Sequence, residues 1–139
     1  GTTPTPVSEE INKAGLDQSY LAGSLFEYAS RGGKAELLGK EKVGDAEAWK
    51  VKYTNKDNVE SNFFIDANTY YVIQAIRKGN AMGQDVTITI NYSNFQKTDY
   101  GIVMPYSTNV DMQQFAMAMT TKKIEINKDV DPAIFEMPK

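Results

Sequence analysis

The sequence predicts an α+β domain in which two N-terminal helices precede an open antiparallel sheet of about seven strands. Three observations lead there. Apolar residues recur at helical spacing only before Arg31, with Leu21, Leu25 and Tyr28 on one stripe beside Ala22, Phe26 and Ala29. After Lys34 the spacing becomes alternation, cleanest where Val86, Ile88, Ile90 and Tyr92 interleave with Asp85, Thr87, Thr89 and Asn91. The links between alternating runs are short and polar, and short links between successive strands imply an antiparallel meander.

Taken in order, residues 1–7 are rich in Thr and Pro and read as an extended or disordered tail. Gly1-Thr2-Thr3-Pro4-Thr5-Pro6 has the look of a linker, so the natural N-terminus is expected upstream. Ser8-Glu9-Glu10-Ile11 resembles a capped first turn, giving a short helix that ends near Gly15. A second helix is expected over 17–30, closed by Arg31-Gly32-Gly33. Strands are then expected over 35–43 and 47–54, the second placing Trp49, Val51 and Tyr53 in the core and Lys50 and Lys52 in water.

The centre of the chain is 61–76, two aromatic-rich arms around Asp66-Ala67-Asn68-Thr69, whose side chains can hydrogen-bond a turn. Neither arm alternates cleanly: Phe63 and Ile65 face away from Phe64, and Tyr71, Ile73 and Ala75 oppose Tyr70, Val72 and Ile76. A hairpin apolar on both faces needs cover on both. The helix supplies one layer, so the second face is expected to line a groove or meet a partner. A loop over 79–83, a strand over 84–92 and a turn at Asp99-Tyr100-Gly101 follow. A strand over 102–111 carries Pro105, which points to an edge or a bulge. A last strand over 114–126 precedes Asp131-Pro132, the start of a short turn of helix.

The 139 residues suit one domain spanning 1–139, and 41% hydrophobic with 24% charged residues is ordinary for a globular chain. A net charge of −3 gives no reason to expect nucleic acid, and no apolar run is long enough to form a transmembrane helix. With no His and no Cys, a Ser-His-Asp or Cys-His site cannot be built from this chain. No catalytic residues, no metal site and no cofactor are expected, and the chain does not read as an enzyme. Asn127-Lys128-Asp129-Val130-Asp131 imitates half a calcium loop, but Pro132 stands where such a loop needs Gly, so it reads as a turn and cap. Asp66, Asp99 and Asp111 sit at turns or on polar strand faces, where Asp is routine. Arg31-Gly32-Gly33-Lys34 lacks phosphate-loop spacing, and Asn91-Tyr92-Ser93 is a three-residue glycosylation match inside a strand.

The constellation that carries information is apolar. Phe64, Tyr71, Ile73, Met104, Met112, Phe115, Met117 and Met119 are large side chains spread over several strands, and methionine suits surfaces that adapt to variable apolar ligands. They are the candidate ligand-binding residues, with Tyr70 beside them.

Three runs carry a resemblance: Lys34-Ala35-Glu36-Leu37-Leu38-Gly39-Lys40-Glu41, Trp49-Lys50-Val51-Lys52-Tyr53, and Phe64-Ile65-Asp66-Ala67-Asn68-Thr69-Tyr70-Tyr71. Together with Tyr92-Ser93-Asn94-Phe95, Gly101-Ile102-Val103-Met104-Pro105 and Ile134-Phe135-Glu136-Met137-Pro138, they resemble the LolA-like outer-membrane lipoprotein-sorting family from about Leu16 onward. The resemblance implies a half-barrel curled over helices whose apolar concave face shelters acyl chains in the Gram-negative periplasm. It has no catalytic residues to transfer. In that family further strands precede the helix resembling 17–30, so this chain reads as a C-terminal portion or a short variant. The expected function is non-catalytic binding of a lipid or lipoprotein acyl chain by a periplasmic or outer-membrane-associated protein. The alternative is a protein–protein interaction module of a larger envelope protein, its apolar face buried on a partner chain or on a homo-oligomer formed through sheet edges.

Overall fold

Seven strands follow one another in a single antiparallel meander: β1 (Lys34–Val43), β2 (Ala46–Thr54), β3 (Glu60–Asp66), β4 (Val72–Ala81), β5 (Gln84–Lys97), β6 (Val103–Asp111) and β7 (Ala116–Thr120). The computed structural model describes residues 23–81, 84–112 and 115–136. Among the described residues every strand pairs with its sequence neighbour, so β1 and β7 are the outermost strands and the sheet is open.

One apolar row crosses the whole sheet. Cross-strand partners run Leu37, Val51, Phe63, Ala75, Ile90, Val110 and Met117, one residue from each strand. Directly opposed residues share a face, so this row defines the face on which the core forms. Tyr53, Phe63 and Ala75 are its buried centre, with Leu25, Tyr28, Val72, Ile90 and Tyr92 packed against them. The Tyr53 and Phe63 rings meet at 6.2 Å with a 57° tilt, a favourable aromatic geometry.

Cover over this face comes from residues 23–33, and here the helix expected over 17–30 needs correction. Its described part is a run of turns rather than helix. Gly23 and Glu27 take left-handed backbone angles, φ 82° and 50°, which interrupt any helix between them. The Arg31 guanidinium then donates to the carbonyls of Ser24 (2.7 Å) and Gly23 (3.5 Å), folding the segment back on itself. Leu25 and Tyr28 still reach the core, while Phe26 and Ala29 from the same expected stripe are exposed. The earlier part of that helix, the short helix near Ser8 and the 1–7 tail lie outside the described residues.

The opposite face is mixed, with Ala48, Phe64 and Ile76 set among charged and amide side chains. Lys50 pairs with Glu41 and Lys52 with Glu60 across neighbouring strands. Between them Phe64 is only 4% exposed, with the Lys50 ammonium 5.7 Å from its ring centre. Lysine stems cover apolar surface while their heads stay wet. On this second face of the central hairpin Phe64 is therefore covered by its own neighbours and lines no groove, contrary to the layer count. Trp49, expected in the core, is half-buried near the sheet end, with Lys40 4.4 Å from its ring.

Strand limits differ from expectation where pairing overrides pattern. β4 and β5 extend to Ala81 and from Gln84, so their ladder runs into the loop expected over 79–83. β5 runs past Tyr92 to Lys97 because the ladder continues through Asn94, which adopts φ 52°. Of the strand expected over 114–126 the described residues keep β7; Thr121 N still donates to Tyr106 O at 2.8 Å, and residues 122–126 form no strand. Pro105 lies beyond Ser107, the last β6 residue that β7 pairs, so β6 is locally outermost there, as a proline in a strand requires. The turn at Asp131 forms as read: its carboxylate accepts from Ala133 N at 2.9 Å and caps η1 (Pro132–Phe135).

Candidate functional site

The core face does not fill completely. Beside the Tyr53–Phe63–Ala75 cluster it leaves an open groove of about 520 Å³, within the usual ~300–1,000 Å³ range of small-molecule sites. Leu25 borders it from the turn segment, Phe63, Val72, Ile90 and Tyr92 from the sheet, and Tyr71, Phe95, Val103 and Pro105 from the end where β3 turns into β4.

Two local departures from regular strand geometry build this lining. The β3–β4 register shifts between Phe64 and Ile65, so Phe63 faces Ala75 while Ile65 faces Val72, two residues nearer the turn than Gln74. The extra residue, Ile73, is a bulge, and it turns Val72 onto the face of Phe63 and Ala75. Strict alternation would have put Val72 with Phe64. On β5, the left-handed Asn94 breaks alternation a second time, so Tyr92 and Phe95 both border the groove although three residues apart. Phe95 then stacks on Tyr71 with ring centres 4.8 Å apart.

The turn that holds Tyr70 and Tyr71 is tied by Asp66. Its Oδ1 accepts from Asn68 N (3.0 Å), Thr69 N (2.7 Å) and Thr69 Oγ1 (2.9 Å). These bonds, the Thr69 backbone amide foremost, hold its carboxyl below the ordinary carboxylate value. Tyr70 N closes the turn onto Asp66 O, and Tyr70 takes φ 60°, which projects its ring outward.

Arg77, rooted on β4 opposite Ser61 and Ile88, is the charged residue of the lining. Its guanidinium carbon lies 5.9 Å from the centre of the Phe63 ring, and its Nε is buried with no hydrogen-bond partner. Burial pushes the Tyr92 phenol upward, an effect the nearby Arg77 charge opposes, so Tyr92 stays a neutral hydroxyl.

Of the eight candidate residues from the sequence, Tyr71 borders the groove. Phe64 lies on the opposite face, and Ile73 is the half-buried bulge residue. Met104 and Met112 are half-buried outside the lining. Met117 and Met119 share the groove face but sit out on β7, 40% and 44% exposed, and Phe115 just before them is 60% exposed. Sequence reasoning passed over Phe63, Val72, Tyr92, Phe95 and Arg77. The alternation of β5 signalled Tyr92, whereas the bulge that turns Val72 inward and the left-handed Asn94 before Phe95 have no sequence pattern as plain as alternation.

Among the described residues no cluster of three or more acidic side chains could hold a metal ion, and no helix is long and apolar enough to cross a membrane. Asp99 and Asp111 are exposed, at the β5–β6 turn and the end of β6.

No family model and no curated protein matches the sequence. Among solved structures, the chain is similar to one described as an outer membrane lipoprotein-sorting protein domain from Vibrio parahaemolyticus. The likeness has a TM-score of 0.57 at 11% identity and covers 74% of this chain but 46% of that one, so the chain spans about half the length of the structure it matches. At that identity the match speaks for architecture: the seven-stranded open antiparallel sheet has the LolA-like, lipoprotein-sorting fold.

Proposed function

We propose that the groove shelters an acyl chain of a lipid or lipoprotein, making this protein a non-catalytic binding module of the Gram-negative envelope, periplasmic or bound to the outer membrane. The observation that carries this reading is the apolar groove on the core face, lined by Leu25, Phe63, Val72, Ile90 and Phe95. A shared fold with a lipoprotein-sorting domain supports it. Each methylene buried there contributes about 0.8 kcal/mol, so a chain of about ten carbons reaches useful affinity without a charged contact. The lining is hydrocarbon and phenol with one cation, Arg77, a composition that suits a carrier of an amphiphile.

The test is thermal unfolding with dodecyl-chain amphiphiles below their micelle concentrations, together with intact mass spectrometry of the protein as isolated. Ligand at a hundredfold excess over Kd stabilises by about 2.7 kcal/mol, a rise in Tm of roughly 5–10 °C. Val72→Asp, which puts a carboxylate in the groove, removes the rise. No shift with any twelve-carbon probe and no co-isolated lipid would end the carrier reading.

A second reading rests on the exposed Phe115, Met117 and Met119 beside β7 and Leu37 and Leu38 on β1. These outer strands offer apolar surface to a second copy or to another polypeptide. Light scattering that reports a monomer from micromolar to millimolar concentration would remove the homo-oligomer.

A further inference from the structure

The groove has two chemically different ends. Around Tyr71, Phe95, Val103 and Pro105 it is hydrocarbon and aromatic ring. Along β4 from Val72 it reaches Arg77, on the order of 15 Å away at the rise of a strand. Arg77 is the one charged residue of the lining, and no carboxylate among the described residues pairs with it. A buried guanidinium Nε without an acceptor is costly, and guanidinium geometry favours a two-oxygen anion. The rings of Phe63 and Tyr92 beside it exclude water from one side.

Building on the acyl-chain reading above, we propose that Arg77 makes this a site for an anionic single-chain amphiphile, its tail along Phe63, Val72 and Phe95 and its oxyanion on Arg77. A lipoprotein's acylated cysteine bears no anion where its chains join. The cation therefore favours a free amphiphile with a carboxylate or phosphate head over a lipoprotein anchor. Tyr92, kept neutral, supplies a hydroxyl near the same head group.

Titration calorimetry on the full chain tests this with four ligands of one tail length: laurate, dodecyl phosphate, the neutral octaethylene glycol dodecyl ether and cationic dodecyltrimethylammonium. A desolvated ion pair is expected to favour the anions by at least about tenfold over the neutral ether, with the cation weakest. Laurate against dodecyl phosphate separates the two head-group sources. Arg77→Met is expected to level laurate with the ether while leaving ether affinity within about twofold, and Arg77→Lys to retain part of the preference. Equal wild-type affinity for anionic and neutral ligands overturns the Arg77 assignment and leaves the acyl-chain reading standing. A preference that persists in Arg77→Met overturns it too. Failure of all four ligands to bind removes both. Should Arg77→Met not fold, the wild-type ranking and its loss of anion preference in high salt decide alone.

Discussion

Adding a single methyl at Gly33 is expected to loosen the whole cover of the groove face. Gly33 joins the turn segment to β1 and is buried where that segment meets the sheet. A Cβ there would stand 2.8 Å from Tyr53 Cε2, 3.2 Å from Tyr53 Oη and 3.0 Å from the Tyr28 carbonyl oxygen. Neither neighbour can yield easily. Tyr53 is 2% exposed at the centre of the core, and Tyr28 O already accepts from Gly33 N at 2.8 Å and Arg31 N at 3.2 Å. Overpacking of this kind costs about 1–3 kcal/mol. Gly33 is not left-handed, so Ala adopts its backbone without strain and recovers about 0.4–1 kcal/mol from a stiffer unfolded chain.

The balance for Gly33→Ala is a loss of about 1–2 kcal/mol, read as a lower urea midpoint at unchanged slope. Combining it with Tyr53→Leu, which removes the opposing ring, should give a double variant less destabilised than the sum, since the two changes share one contact. Gly39→Ala is the contrasting control: no atom lies within 4 Å of its added Cβ, and its cost comes from φ 120° alone. Gly33→Ala as stable as the parent, with no coupling to Tyr53, would mean that the turn segment does not press on the core, and the account of how the groove is walled would fail.

Trp49→Ala is expected to cost about 1.5–3 kcal/mol by urea denaturation, below the ~3–5 kcal/mol of a fully buried aromatic, because its ring is half-buried under Lys40. A cost near zero would mean that Trp49 packs on nothing. The Asp66 carboxyl is held below its unfolded value near 3.9, so the folded state binds the proton more weakly and the turn's stabilisation is full above that value. It is lost as pH falls through the lower folded value. Asp66→Asn should flatten that part of the stability profile between about pH 5 and pH 2, and an unchanged acid slope in equilibrium unfolding would contradict the role of Asp66.

The strand order was legible where a turn carries local chemistry that needs no knowledge of the fold. Gly44, at φ 59°, permits the tight β1–β2 link, and Asp66 ties the β3–β4 turn with its own carboxylate. What the sequence hid is tertiary. The stripe of Leu25 and Tyr28 is real as a set of core contacts, yet Arg31 folds the segment carrying it into turns, so helical spacing there records burial and not helix. Residues 124–126 show the converse: Ile124-Glu125-Ile126 alternates yet forms no strand among the described residues.

The groove depends most on what alternation cannot foretell. A regular β3–β4 ladder would send Val72 to the face of Phe64, among the lysine–glutamate pairs, and place Ile73 beside Ala75. The single extra residue reverses that assignment between Phe64 and Ile65. On β5 no residue is added and the β5–β6 register holds from Thr89 to Lys97, but the left-handed Asn94 lies between Tyr92 and Phe95, and both border the groove. Each irregularity gives up a little ladder regularity and gains an apolar side chain on the face of Arg77. Bulges commonly re-aim side chains beside working sites. The β3–β4 bulge and the left-handed Asn94 lie on strands that pair with each other, so the two irregularities act on one end of one groove.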